Sequence, residues 1–202
     1  KQKLHKQLDK QLLCDPEFAR LAAQFQTKIE IAQVLLKGAI EQELPFTTVL
    51  MDSWYLSPQL VNSLALANKD WVSLLKRNRN LETHSFQLKD GTGHPMNLPS
   101  SQIKVEDLGP LIPPTAYRKV ETGGHSYWCF TLCARISGLG KVRLVISFDT
   151  PELTGTYAVL ITNRTDWSAQ QILAKYLQRW TIETFYWDGK QHLGLDEYRT
   201  RT

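Results

Sequence analysis

Cysteine is scarce in this chain: Cys14, Cys129 and Cys133 are its three cysteines in 202 residues. That is too few for a disulfide framework and suits a reducing compartment. Long apolar runs are missing too. No stretch of roughly 18 apolar residues occurs and no signal-peptide pattern opens the chain, so a cytosolic protein with no membrane partner is expected. Charge of one sign is not in large excess either. A net charge of +4 is compatible with a local nucleic-acid groove but does not demand one. Internal repeats and low-complexity tracts are absent.

What remains is ordinary globular sequence. With 42% hydrophobic residues the chain can bury a sizeable core as one domain, or as one domain carrying an insertion. Residues 17–43 have helical periodicity through Leu21, Ile29, Ala32, Leu36 and Ile40, with Gly38 weakening the end, and should cover one face of a sheet. The preceding KQKLHKQLDK is basic and reads as a solvated helix or linker. Strand 46–52, helix 57–67 and strand 71–76 make a βαβ unit with parallel strands. A polar, turn-rich stretch follows to Pro114. Strands are then expected over 116–121, 126–136, 142–149 and 157–162, with antiparallel hairpins at Gly123-Gly124 and Ser137-Gly138. His125, Cys129 and Cys133 share a strand face, but no fourth zinc ligand accompanies them.

The most informative motif is Y-x2-R-x3-E-x6-K, formed by Tyr176, Arg179, Glu183 and Lys190. Placed on one helix at about 100° per residue, the four occupy roughly 0°, 300°, 340° and 320°, a single narrow stripe. A carboxylate flanked by a guanidinium, an ammonium and a phenol suits a metal ligand with phosphate-binding neighbours. A solvated helix face explains part of it, because Glu183 can pair with Arg179 four residues away. That reading leaves the aromatics Tyr176, Trp180, Phe185, Tyr186 and Trp187 unexplained, and these predict a helix packed on several sides. The helix starts near Ser168 and runs to about His192, either continuously or with a break before Tyr176. Asp188-Gly189 weakens its last turn and with it the placement of Lys190.

A second acid stands out at Asp52, at the carboxyl end of the apolar run 46–51. Its alternative role as a helix cap is taken by Ser57, which precedes Pro58, so a role in a site is favoured. The aromatics Trp54, Tyr55, Trp71 and Trp180 are assigned to the core.

The stretch YLQRWTIETFYWDGKQHLGLDEYRTR resembles the catalytic helix of DDE transposases of bacterial insertion sequences, in the group with a Y-R-E-K signature. KIEIAQVLLKGAIEQELPFTTVLMDSWYLS resembles the helix and strand that present the family's second acid. The resemblance implies an α/β fold: a partial RNase H-like core interrupted by a mostly antiparallel β insertion subdomain. Residues 1–76 would begin the core, 77–156 would form the insertion and 157–202 would end the core. Asp52 and Glu183 would be catalytic carboxylates and metal ligands, and Tyr176, Arg179 and Lys190 would contact DNA.

The cofactor implied is Mg2+ or Mn2+, with two ions in the intact protein. The activity implied is strand cleavage and strand transfer at transposon ends. The partners implied are double-stranded DNA, both ends and target, and a second copy in a homodimer on DNA, in a bacterial cytoplasm with nucleoid association when bound. In some relatives an insertion tryptophan stabilises a flipped base; Trp128 is better read as a core aromatic and is assigned no role. The family's first aspartate has no counterpart before Asp52, since Asp9 and Asp15 lie in or beside helical sequence. A piece of a longer transposase, inactive alone, is therefore expected. An RNase H-like nuclease and a catalytically inactive remnant that only binds DNA or a partner stand as alternatives.

Overall fold

The computed structural model describes residues 14–24, 26–98 and 100–193. Asp9, the leading basic segment and the terminal YRTRT lie outside them. The chain falls into two compact units, residues 1–44 and 45–202. Among the described residues no helix is long and apolar enough to cross a membrane.

The first unit holds helices α1 (Pro16–Gln24) and α2 (Lys28–Glu41). Asp15 caps α1, its Oδ1 accepting from the Glu17 and Phe18 amides at 2.8 and 3.2 Å. That end-capping role agrees with excluding Asp15 as a strand-borne acid. A reciprocal capping box opens α2: the Glu30 amide donates to Thr27 Oγ1 and the Thr27 amide donates to Glu30 Oε2. The single helix expected over 17–43 is thus two helices, because Thr27 takes extended backbone to make this box. No residue of α2 is buried.

The second unit is built on one eight-stranded sheet. Strand β1 (Thr48–Met51) and strand β2 (Asp70–Leu74) pair in parallel, Thr48 opposite Asp70 and Met51 opposite Ser73. Between them runs α3 (Pro58–Leu66), with Ser57 Oγ accepting from the Leu60 amide and Pro58 in the first turn. Its buried residues Leu60, Val61 and Leu64 form the one-sided stripe that a crossover helix needs. The polar stretch after Arg77 contains two strands that alternation does not reveal, β3 (Asn80–Glu82) and β4 (Gln102–Lys104), and a single turn of helix, α4 (Val105–Leu108). Three residues are too few for a period-2 pattern, and only Leu81 of β3 is buried.

Strands β5 (Arg118–Thr122), β6 (His125–Ile136), β7 (Gly140–Phe148) and β8 (Tyr157–Thr162) are antiparallel neighbours in the expected places. β8 also pairs antiparallel with β2, so the hairpin strands continue the same sheet that begins at β1. The β6–β7 turn requires Gly138: its φ is +78°, and a Cβ there would lie 2.8 Å from Pro58 Cγ.

Helix α5 (Ala169–Leu177) begins with another capping box, Ser168 with Gln171. It buries Ala169, Ile172, Leu173 and Tyr176, spaced i, i+3, i+4, i+7, against Val72, Cys129, Val145 and Leu160 of four neighbouring strands. Ile172 and Leu173 each contribute about 1.5–3 kcal/mol on burial. Along β6, Tyr127 and Cys129 pack on this side, so alternation places Trp128 on the opposite face. Tyr117, Phe130, Phe148 and Tyr157 form a second, aromatic cluster with ring centroids 5.1–6.0 Å apart. Helix α6 (Trp180–Leu193) follows α5 after a short junction.

Candidate active site

The four motif residues do not share one helix. Tyr176 ends the buried stripe of α5, Arg179 lies in the junction, and Glu183 and Lys190 are on α6. The break follows Tyr176 rather than preceding it. Amides of Gln178, Arg179, Thr181 and Ile182 each donate to the carbonyl three residues back, a tightened turn of 3₁₀ type that separates the two helices. The single-helix stripe is corrected accordingly: only Glu183 and Lys190 keep helical spacing, seven residues and about 10 Å apart along the axis.

Tyr176 is 8% exposed. Its hydroxyl is buried, with the Arg179 guanidinium as its polar neighbour. Burial, first of all, raises its pKa above the ordinary tyrosine value; the Arg179 cation opposes this, and the carboxylates of Asp52 and Glu183 reinforce it. Arg179 sits over the Tyr176 ring, Cζ 5.4 Å from its centroid, and donates Nη1 to Glu183 Oε1 at 2.7 Å. The Arg179 Nε is buried with no acceptor among the described residues.

The ion pair anticipated for a plain helix face is thus present, but one partner is packed on a buried ring. Asp52 is half-buried, directly after β1. Its carbonyl accepts from the Tyr55 amide at 3.0 Å, and among the described residues its carboxylate accepts no hydrogen bond. Lys190 lies on the last turns of α6.

Several aromatic assignments are overturned. Trp71 is in the core at 1% exposure, but Trp54, Tyr55 and Trp180 are exposed, as are Phe185, Tyr186 and Trp187. Helix α6 is not packed on several sides among the described residues. Its aromatics are spread around the whole circumference, so no single neighbouring surface could have covered them.

A cavity of about 330 Å³ opens beside Tyr176, walled by Tyr127, Ser147, Leu173 and Trp180, with Asp149 among its lining residues. Asp149 is a residue that sequence reasoning misses, although it carries the signal that picks out Asp52, an acid at the carboxyl end of an apolar strand. Its place on an antiparallel hairpin strand distinguishes it. Among the described residues no three acidic, histidine or cysteine side chains group as a metal cage, and only helices precede β1. His125 is exposed at the hairpin, Cys129 contacts Ser147 at 3.6 Å and Cys133 contacts the Thr165 carbonyl at 3.9 Å.

Asp52 and Glu183 supply hard carboxylate oxygens, the donor type that suits Mg2+ or Mn2+. Arg179 holds one oxygen of Glu183, so an incoming cation would compete with that guanidinium. A search among curated proteins finds no match to the chain. Residues 3–202 match the family model of the transposase DDE domain.

Proposed function

The chain belongs to the transposases with a DDE domain, and from that membership we propose that it cleaves and joins DNA strands at transposon ends by metal-dependent phosphoryl transfer in the intact protein. A transposase catalytic-type domain acting on DNA is the coarse conclusion the family supports. The observation that supports the finer one is the Arg179–Glu183 pair packed on the buried ring of Tyr176, in a chain that also carries an acid, Asp52, at the carboxyl end of β1. A plain surface ion pair does not pack its guanidinium on a buried phenol.

Asp52 and Glu183 are the proposed metal-holding carboxylates. Divalent ions bound there would supply charge neutralisation and an activated oxygen nucleophile. Arg179 and Lys190 would neutralise backbone phosphates beside the cut, and the Tyr176 hydroxyl would donate to a phosphate oxygen. The Y-R-E-K group assignment, the RNase H-like core with residues 77–156 as its insertion, and a homodimer on DNA belong to the same proposal. So does dependence on a further acid, because a two-metal site has a bridging carboxylate that these two residues do not provide.

The test is cleavage and joining of a plasmid carrying the element's ends, in Mg2+ or Mn2+, by the full-length protein. Glu183→Gln and Asp52→Asn should each lower cleavage by more than about a hundredfold, beyond the effect of losing an outer-shell partner, while most DNA affinity survives. Cleavage retained by Glu183→Gln would reject the assignment. Cutting without any joined product would favour a nuclease, and metal-independent binding without chemistry would favour a DNA-binding remnant.

A further inference from the structure

Trp54 is 74% exposed, although an indole is among the costliest side chains to leave in water. Its position is fixed by the proposed site. The Tyr55 amide closes onto the Asp52 carbonyl at 3.0 Å, making a turn whose corner Trp54 occupies two residues after the acid. The parallel register that sets Met51 opposite Ser73 brings the continuation of β2 alongside this turn. Lys76 there places its Nζ 4.0 Å from the Trp54 ring centroid.

Lys76 is exposed and makes no ion pair among the described residues. Arg77 and Arg79 follow it, each held by a backbone carbonyl, that of Tyr157 at 2.7 Å and that of Leu56 at 3.4 Å. An ammonium and an exposed indole therefore stand together at the carboxyl end of the parallel strand pair, two residues past Asp52, with Arg77 and Arg79 next in the chain.

We propose that Trp54 and Lys76 form a nucleotide platform, the indole stacking on an exposed base face and the ammonium meeting the adjoining phosphate. The proposal rests on the reading of this chain as acting on DNA. An aromatic face beside an ammonium without a carboxylate partner fits a ligand that presents a π-face and an anion together, and a nucleotide does both. A base inside a continuous duplex hides its faces, so the occupant is a nucleotide unpaired or at a strand end. Seated there, it would hold the strand next to the Asp52 carboxylate, which makes Trp54 and Lys76 positioning residues.

The experiment uses oligonucleotides carrying 2-aminopurine, whose fluorescence falls on stacking, titrated with the chain while anisotropy reports affinity. The probes are a single strand, a blunt duplex with the reporter at its end, and a duplex with the reporter unpaired in the middle. Wild-type protein should quench severalfold, and the arm that quenches most tells an end from an internal unpaired base. Trp54→Ala should lose the quench and bind roughly tenfold more weakly, while Trp54→Phe keeps much of both. Lys76→Gln should keep the quench and reduce the slope of log affinity against log salt by about 0.7–0.9.

Trp54 touches solvent over most of its surface, so its replacement should leave the circular-dichroism spectrum and melting unchanged. An unaltered quench and affinity in Trp54→Ala would overturn the platform while leaving the DNA reading intact. Folded wild-type protein that binds none of the three probes would overturn both.

Discussion

Arg179 donates to Glu183 at 2.7 Å while lying over the ring of Tyr176, so one guanidinium links a helix junction, a buried phenol and the proposed metal-holding carboxylate. The pair stands half in solvent, with 24% and 48% side-chain exposure, and an exposed pair of this kind stabilises a fold by less than about 1 kcal/mol. Its weight is therefore in what it withholds: while it is closed, one Glu183 oxygen is unavailable to a cation.

Arg179→Ala should accordingly tighten Mn2+ binding severalfold and weaken DNA binding at the same time. Mn2+ titration followed by electron paramagnetic resonance reads the first effect and anisotropy with labelled DNA the second. Weaker Mn2+ binding in Arg179→Ala would mean that Glu183 is held in place by the pair rather than blocked by it.

Tyr176 separates packing from polarity. Because its buried hydroxyl has only the Arg179 guanidinium as a polar neighbour, Tyr176→Phe should change stability by no more than about 1 kcal/mol, whereas Tyr176→Ala should cost about 3–5 kcal/mol through the cavity left under α5. Urea denaturation measures both. A drop in DNA affinity for the stable Phe variant would isolate the contribution of the hydroxyl.

Tyr117 makes stability sensitive to alkali. Burial, with a smaller contribution from Tyr157, pushes its pKa up to about 12. A phenol whose folded value lies above its unfolded value contributes stability that is complete below about pH 10 and is lost as pH rises toward 12. Melting temperature should fall steeply over that window in the wild type. Tyr117→Phe should flatten the fall, and an equally steep profile in that variant would place the sensitivity elsewhere.

Gly138 tests the hairpin against α3. Its positive φ, and the 2.8 Å that would separate an added Cβ from Pro58 Cγ, imply that Gly138→Ala costs at least about 1–2 kcal/mol, detectable as a lowered denaturation midpoint. Gly140→Ala has φ +78° but nothing within 4 Å, so it should cost less; equal losses would show that the Pro58 contact contributes nothing.

Much of the architecture is legible in the sequence because it rests on local rules. Alternation locates β5 to β8 within about two residues at each end, Ser57-Pro58 marks the start of α3, and the apolar run before Asp52 marks a strand that ends where the acid stands. The division of 17–43 into two helices is not legible, because apolar periodicity passes straight through Thr27 and the capping box that interrupts it lies in polar side chains that periodicity ignores. The junction at Gln178 and Arg179, after Tyr176 rather than before it, escapes for a related reason: no glycine or proline marks it, and the turn is made by ordinary residues.

By itself the sequence determined the chemical inventory: which acids, cations and phenol are available, the family they match, and the strand and helix on which Asp52 and Glu183 ride. Tertiary structure alone decided which of these groups feel one another. The packing of Arg179 over the buried ring of Tyr176 depends on β2 and β8 pairing and on α5 packing across four strands. Those are contacts between segments far apart in the chain, which no local period encodes. The exposure of Trp54 was decided there as well, because a side chain is buried only if the fold supplies a surface to cover it, and its own hydrophobicity cannot say whether one arrives.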